Sequence, residues 1–272
     1  LPHDNKSELQ VVIDMPEGTP FGPNVTSIVT YLHGCQMVGY KRLTEVCQGL
    51  FGLTISEGAI ANMLARVGKA IAEPAGRIAE KVRASEVIAS DETSARVKGK
   101  TWWQWTFGCA TAVYFVMAET RGKCVPTAFL AGAKPLVWLS DRLPAQCRPA
   151  EEHQFCLAHL LRDAQYAIDH GDTIFAPGFK ALLKDACAVG RRRPDLADAT
   201  IAAHRRRLER ELERLLASKP TDAEGRKLRD AIYLDCRGKL FVFLRRRDVE
   251  PTISVSERAL RHVESLVERR RH

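Results

Sequence analysis

"VIASDETSARV", residues 87–97, is the stretch whose reading decides the fold. Val87, Ile88, Thr93 and Val97 suit a pleated, half-buried surface, so the segment reads as a strand. Asp91 interrupts it. Aspartate is disfavoured in strands, and burying its charge is costly without a partner. Either the segment is a sheet edge with the charge in water, or the carboxylate is held inward for a purpose. The adjacent Glu92 reads as a neighbouring solvent charge.

Working downstream, the period of two continues through "TWWQWTFGCA" (101–110) and "AVYFVMAET" (112–120), separated by the turn Lys98-Gly99-Lys100 and a break near Thr111. Three consecutive strands predict an antiparallel meander. Trp102, Trp103 and Trp105 are read as alternating across the second strand, Trp103 opposite its two neighbours, with one face filling the core and base stacking as the other use. A helix, "KCVPTAFLAGA" (123–133), leads into an apolar strand, "PLVWLSDR" (135–142), with Asp141 at its carboxyl end. A short "HQFC" strand (153–156) and the helix "LAHLLRDAQYAIDHG" (157–171) follow. A strand reached through a helical crossover is placed most easily parallel to an earlier one. The sum is an α/β fold, a mixed sheet with helices on its faces.

Upstream, residues 1–23, with Pro2, Pro16, Pro20 and Pro23, read as an extended lead-in, and 24–84 as a helical region in which Pro74 breaks the third helix. Leu43, Val46 and Leu50, then Ile60, Leu64 and Val67, recur at helical spacing around "GLTISE". That layout resembles a helix-turn-helix with Ser56 as N-cap of its second helix, although two packed helices with no DNA role would show the same spacing. Residues 85–171 read as the first part of the sheet domain, 172–240 as helical, and 241–272 as an apolar piece, a basic run, a turn at Pro251 and a last helix from about Ser254. Within 172–240, Ile201, Leu208, Leu212 and Leu215 form one apolar stripe.

Composition bounds the function. The 272 residues are 45% hydrophobic and 27% charged, as in folded globular proteins. The formal charge is +8, and residues 191–272, with 22 basic against 14 acidic side chains, hold all of that excess. A polyanionic partner fits this asymmetry, and so does an ordinary solvated helix face. Eight cysteines without a C-x-x-C pair read as reduced, mostly buried thiols of a cytosolic protein. The spacing of Cys147, His153, Cys156 and His159 fits no familiar zinc pattern. No apolar run reaches the ~20 residues of a membrane span, and no signal peptide is evident. The first residue is not Met, so a fragment or processed chain lacking upstream domains is expected.

Three acidic residues occupy unusual places: Asp91 inside the first strand, Asp141 at the end of the fourth, and Glu257 in the first turn of the last helix. If the first and fourth strands are neighbours, the two aspartates converge to ~5 Å. Carboxylates that close repel unless a cation lies between them, and magnesium suits hard oxygen ligands. Taken singly, Asp91 can be an exposed edge charge, Asp141 a turn residue, and Glu257 the partner of Ser254 in a capping box.

Five segments in order, "FGPNVTSIVTYLHGCQMVGYKRLTEVCQGLFGLTISEGAI", "SDETSARVKGKTWWQWTFG", "WLSDR", "HQFCLAHLLRDA" and "EPTISVSERALR", resemble the transposases of the insertion sequence 66 family. The resemblance implies an RNase H-like domain with a helical insertion before its third acidic residue. It also implies a DDE triad on Asp91, Asp141 and Glu257, holding two magnesium ions, with manganese as a substitute. The implied activity is cleavage and strand transfer of double-stranded DNA at the element's ends and in the target, by at least two copies of the chain. Asp91 would bridge both ions. Arg245, Arg246, Arg247, Arg258, Arg261 and Arg269 to Arg271 would contact phosphate. His159 and Arg162, inside the "CLAHLLRD" motif, would contact phosphate or brace the site, with a core imidazole as the other reading of His159. Two departures from the family, Ile253-Ser254 where Asn-Asn is usual and "HVESLVERRRH" in place of a Lys-, Arg- and Gly-rich tail, predict an altered or truncated copy. The rival expectations are a non-catalytic DNA-binding remnant and an RNase H-like nuclease.

Overall fold

The computed structural model describes residues 20–97, 99–146 and 150–253. The lead-in up to residue 19, the last helix with Glu257, Arg258, Arg261 and Arg269 to Arg271, the Ser254 capping box, and Cys147 lie outside the described residues. The chain divides into two compact units between Ala75 and Gly76.

The first unit contains the helices α1 (Pro23–Gly34), α2 (Tyr40–Phe51) and α3 (Glu57–Ala70). Val29, Leu43, Cys47, Ile55, Ile60 and Met63 form its core. Helix α2 stops because Gly52 takes a left-handed conformation, φ 63°, and its N–H donates back to the carbonyls of Cys47 and Gln48. Ser56 caps α3 as its sequence predicts, its hydroxyl accepting the Ala59 N–H at 3.1 Å. The expected break at Pro74 is the start of α4 (Ala72–Arg83), where a missing N–H costs nothing.

The second unit is built on a five-stranded sheet in the order β3-β2-β1-β4-β5. Its strands are β1 (Val87–Val97), β2 (Lys100–Cys109), β3 (Ala112–Ala118), β4 (Val137–Ser140) and β5 (Glu152–Phe155). The first three form the antiparallel meander, and β4 and β5 add in parallel. Helix α5 (Cys124–Leu130) supplies the crossover that makes the β1–β4 pair parallel. This mixed sheet flanked by helices is RNase H-like.

Strand β1 is therefore central, lying between β2 and β4, which removes the reading of Asp91 as an edge charge. On one face Ile88, Trp105, Phe107 and Trp138 pack with Ala79 and Val82 of α4 and Phe129 of α5. Each aromatic buried there contributes roughly 2–3 kcal/mol of transfer free energy. Trp103 packs against the same cluster. The expectation that Trp103 opposes Trp105 is therefore overturned: residues two apart in a strand share a face, and Trp102 is the odd one out.

Four further helices and their connections form the second large core: α6 (Leu157–Asp169), α7 (Phe175–Arg192), α8 (Asp198–Leu216) and α9 (Ala223–Ala231). The stripe Ile201, Leu208, Leu212 and Leu215 is buried as expected. After a π-helical turn at Ile232–Cys236 the chain returns beside the sheet. Gln154 of β5, fully buried, donates to the Leu240 carbonyl at 3.0 Å and accepts the Phe243 N–H at 3.1 Å. Leu157 N–H donates to the Pro251 carbonyl at 2.9 Å. No helix of the described residues is long and apolar enough to cross a membrane.

The described cysteines are all free thiols. Cys47, Cys156 and Cys236 are buried, whereas Cys35 and Cys124 are exposed and Cys109 and Cys187 intermediate, so burial is less general than expected.

Candidate active site

The parallel register of β1 with β4 runs to two residues short of each aspartate. Strands β1 and β4 pair Val87 with Val137, Ile88 with Trp138, and Ala89 with Leu139. Asp91 lies two residues beyond Ala89, and Asp141 two beyond Leu139. β4 ends at Ser140, so Asp141 stands at the open rim where β1 runs on. In-register backbones on adjacent strands are ~4.8 Å apart.

Asp91 is buried, 8% exposed, and its Oδ1 accepts the Glu92 N–H at 3.0 Å. Its cross-strand partner is Thr106, whose buried hydroxyl has no hydrogen-bond partner among the described residues. Asp141 anchors the turn that follows it: its Oδ1 accepts the Leu143 N–H at 2.9 Å. Ser140 fixes the other side, donating its hydroxyl to the Asp141 carbonyl at 2.7 Å. Since that hydroxyl is already donating, His153 Nε2, 3.0 Å away, carries the proton and donates to it. Burial, with the Lys239 charge behind it, pushes the His153 pKa down to about 3, so the ring is neutral. Arg142 reaches Asp163 of α6 at 2.6 Å and ties the same turn to the helix.

Glu92 corrects its expectation. Its side chain is 0% exposed and pairs with Arg121 at 2.6 Å. Burial pushes its pKa up and the Asp141 charge adds to this, while hydrogen bonds from Arg121 and Gln146 pull it back. Sequence reasoning passed over Glu92, Arg121 and Gln146. No signal within the strand set Glu92 apart, since Ser94 and Arg96 two and four residues on, on the same face, are exposed.

The remaining predicted residues are spread out. His159 is half-buried in the first turn of α6, one turn before Asp163, and Arg162 is exposed on the same helix. Arg245, Arg246 and Arg247 are ion-paired with Glu152 at 2.9 Å, with Glu86 at 2.8 Å and Asp248 at 2.7 Å, and with Asp198 at 2.7 Å. Partly exposed pairs of this kind are worth only ~0.2–1 kcal/mol, so phosphate can exchange for the acidic partners. Glu257, Arg258 and Arg261 lie outside the described residues.

Among the described residues no group of three or more His, Cys, Asp or Glu side chains could hold a metal ion. Asp91 and Asp141 nevertheless fit a hard divalent cation: both are carboxylates, and magnesium is commonly held by one or two carboxylates, with water and phosphate oxygens completing its shell. The sequence model described as "Transposase IS66 family" matches residues 18–270. A search of curated proteins finds no match.

Proposed function

We propose that this chain, which belongs to the IS66 family of transposases, is a metal-dependent enzyme that cuts double-stranded DNA at an element's ends and joins the freed 3′-hydroxyl to a target. The observation that supports the reading is the parallel pairing of β1 with β4 up to Ala89 and Leu139, each two residues before one of the aspartates. Membership of the family supports transposition as the function and DNA as the partner.

Asp91 and Asp141 would hold the cation, with Glu257 completing the set as the family resemblance implies. When bound, a pair of magnesium ions stabilises both the attacking and the leaving oxygen of a phosphodiester displacement. The protein's part is positioning. The Glu92 N–H orients Asp91, and the Leu143 N–H, Ser140 and the neutral His153 fix Asp141 and its turn. Arg245, Arg246, Arg247, His159 and Arg162 would contact phosphates, which orients a duplex without reading its sequence. The sheet domain would be split: residues 85–171 and, among the described residues, 241–253 would form it around a helical insertion at 172–240, and the bonds of Gln154 to Leu240 and Phe243 support that division. The active complex contains at least two copies.

The test is strand cleavage and transfer on a duplex carrying the element's terminal repeat, with and without magnesium. Wild type is expected to nick and join only with the metal, and Asp91→Asn to lose at least ~10³-fold of both activities. Cleavage without joining would favour a nuclease. Metal-independent binding with neither activity would favour a DNA-binding remnant.

A further inference from the structure

The Glu92 side chain has no place in the scheme above, yet it is buried and held from two sides. Arg121 donates to its Oε1 from Nε at 2.8 Å and from Nη2 at 2.6 Å. Gln146 donates to its Oε2 at 2.5 Å. The same Arg121 Nη2 lies 4.0 Å from Asp141 Oδ2. Its guanidinium stands over the Trp103 ring, 4.8 Å from the centroid. One permanent cation thus lies between two carboxylates, held by the buried one and just short of a hydrogen bond to the other.

We infer that Glu92 is a positioning residue that ties Arg121 down and so keeps the Asp141 carboxylate available to a divalent cation. The inference rests on the reading of Asp141 as a cation ligand. Three contacts make the tie directional. The two N–H groups aimed at one Glu92 oxygen fix the plane of the guanidinium, and Trp103 closes one of its faces. Gln146, whose Oε1 accepts the Trp138 indole N–H at 3.3 Å, anchors the far oxygen of Glu92 to the core. Without the Glu92 charge, Arg121 would gain by turning fully onto Asp141. It would then occupy a carboxylate oxygen that the cation needs, and its positive charge would oppose the cation at close range.

This gives opposite signs for two neighbouring substitutions, which a merely structural role does not. Removing the Glu92 charge weakens cation binding. Removing Arg121 as well restores it, because the local charge returns to its original sum. Removing Arg121 alone leaves binding equal or tighter.

The experiment measures Mn2+ affinity of the full chain by electron paramagnetic resonance, with melting followed by circular dichroism, in the absence of DNA. Wild type is expected to bind, and Asp141→Asn to lose the ion. Glu92→Gln should weaken binding at least about tenfold, and the Glu92→Gln/Arg121→Gln double variant should return to within about threefold of wild type. Wild-type affinity in Glu92→Gln overturns the inference, as does a folded double variant that stays as weak as Glu92→Gln. If Glu92→Gln does not fold, Arg121→Gln alone decides, and loss of Mn2+ affinity there overturns it. A wild type that binds no Mn2+, or an Asp141→Asn variant that binds it normally, fails the cation-site reading itself, and the inference falls with it.

Discussion

Gly225 lies directly against the Asp172 carboxylate: a Cβ at 225 would meet its Cγ and Oδ2 at 2.5 Å. Neither side can give way. Asp172 is 1% exposed and accepts N–H groups from Ala176 at 2.7 Å and Thr221 at 2.9 Å. Alanine in a helix normally gains up to about 1 kcal/mol over glycine, but the overlap here costs more. Gly225→Ala is expected to lower stability by about 2 kcal/mol, read as a shift in the urea midpoint. A gain would mean that α9 does not press against Asp172 at Gly225.

Asp172 itself should make the fold acid-sensitive. Burial alone would raise its pKa, but hydrogen bonds from the N–H groups of Thr221, Ala176 and Ile174 and from the Thr221 hydroxyl prevail and hold it below the ordinary aspartate value. A depressed carboxyl stabilises fully above its unfolded value near ~3.9 and is lost as pH falls through the folded value. Asp172→Asn should cost roughly 2–3 kcal/mol at pH 7, and the penalty should shrink as pH falls below ~4. Denaturant curves at pH 7, 5 and 3 measure it.

His153 acts in a higher window. Its folded pKa of about 3 lies far under the unfolded value near ~6.5. Between the two the unfolded chain takes up a proton that the folded chain refuses. The contribution is present above ~6.5 and disappears as pH falls toward the folded value, an upper limit of about 5 kcal/mol. His153→Gln, which keeps a donor toward Ser140, should flatten stability against pH between ~6.5 and ~4. An imidazole signal that titrates near 6 by NMR would contradict this.

Arg193 is 6% exposed, and its guanidinium donates to the carbonyls of Phe243 and Arg246, and to that of Val249 at 2.6 Å. Arg193→Met leaves those carbonyls without their donor and should cost about 3 kcal/mol. The signature is local: amides from 242 to 250 should exchange with solvent faster than those of β1 to β3.

Much of this architecture could be read from the chain because its cause is local. Alternation in 87–118 specifies the meander, and the helix before "PLVWLS" specifies a parallel return, so the pairing of β1 with β4 was foreseeable from residue spacing. What stayed hidden depends on partners far away. Glu92 looked like a surface charge because the partners that hold it lie 29 and 54 residues away in the chain. Arg121, in the loop after β3, and Gln146, in a short 3-10 turn at Pro144–Gln146, reach it only once the sheet has assembled. The role of Arg193 was illegible for the same reason, its acceptors being 50 to 56 residues away.

Gln154 has a consequence for how the protein is made. Its buried amide receives two of its partners, Leu240 and Phe243, 86 and 89 residues later in the chain. During synthesis β5 therefore emerges with an amide that has only the neighbouring Phe155 carbonyl and solvent to bond until the four intervening helices have been produced. A nascent chain arrested before residue 240 would display a thirsty sheet margin, an inviting target for chaperones and proteases, and completion of that margin rather than of the meander marks the moment the domain becomes durable.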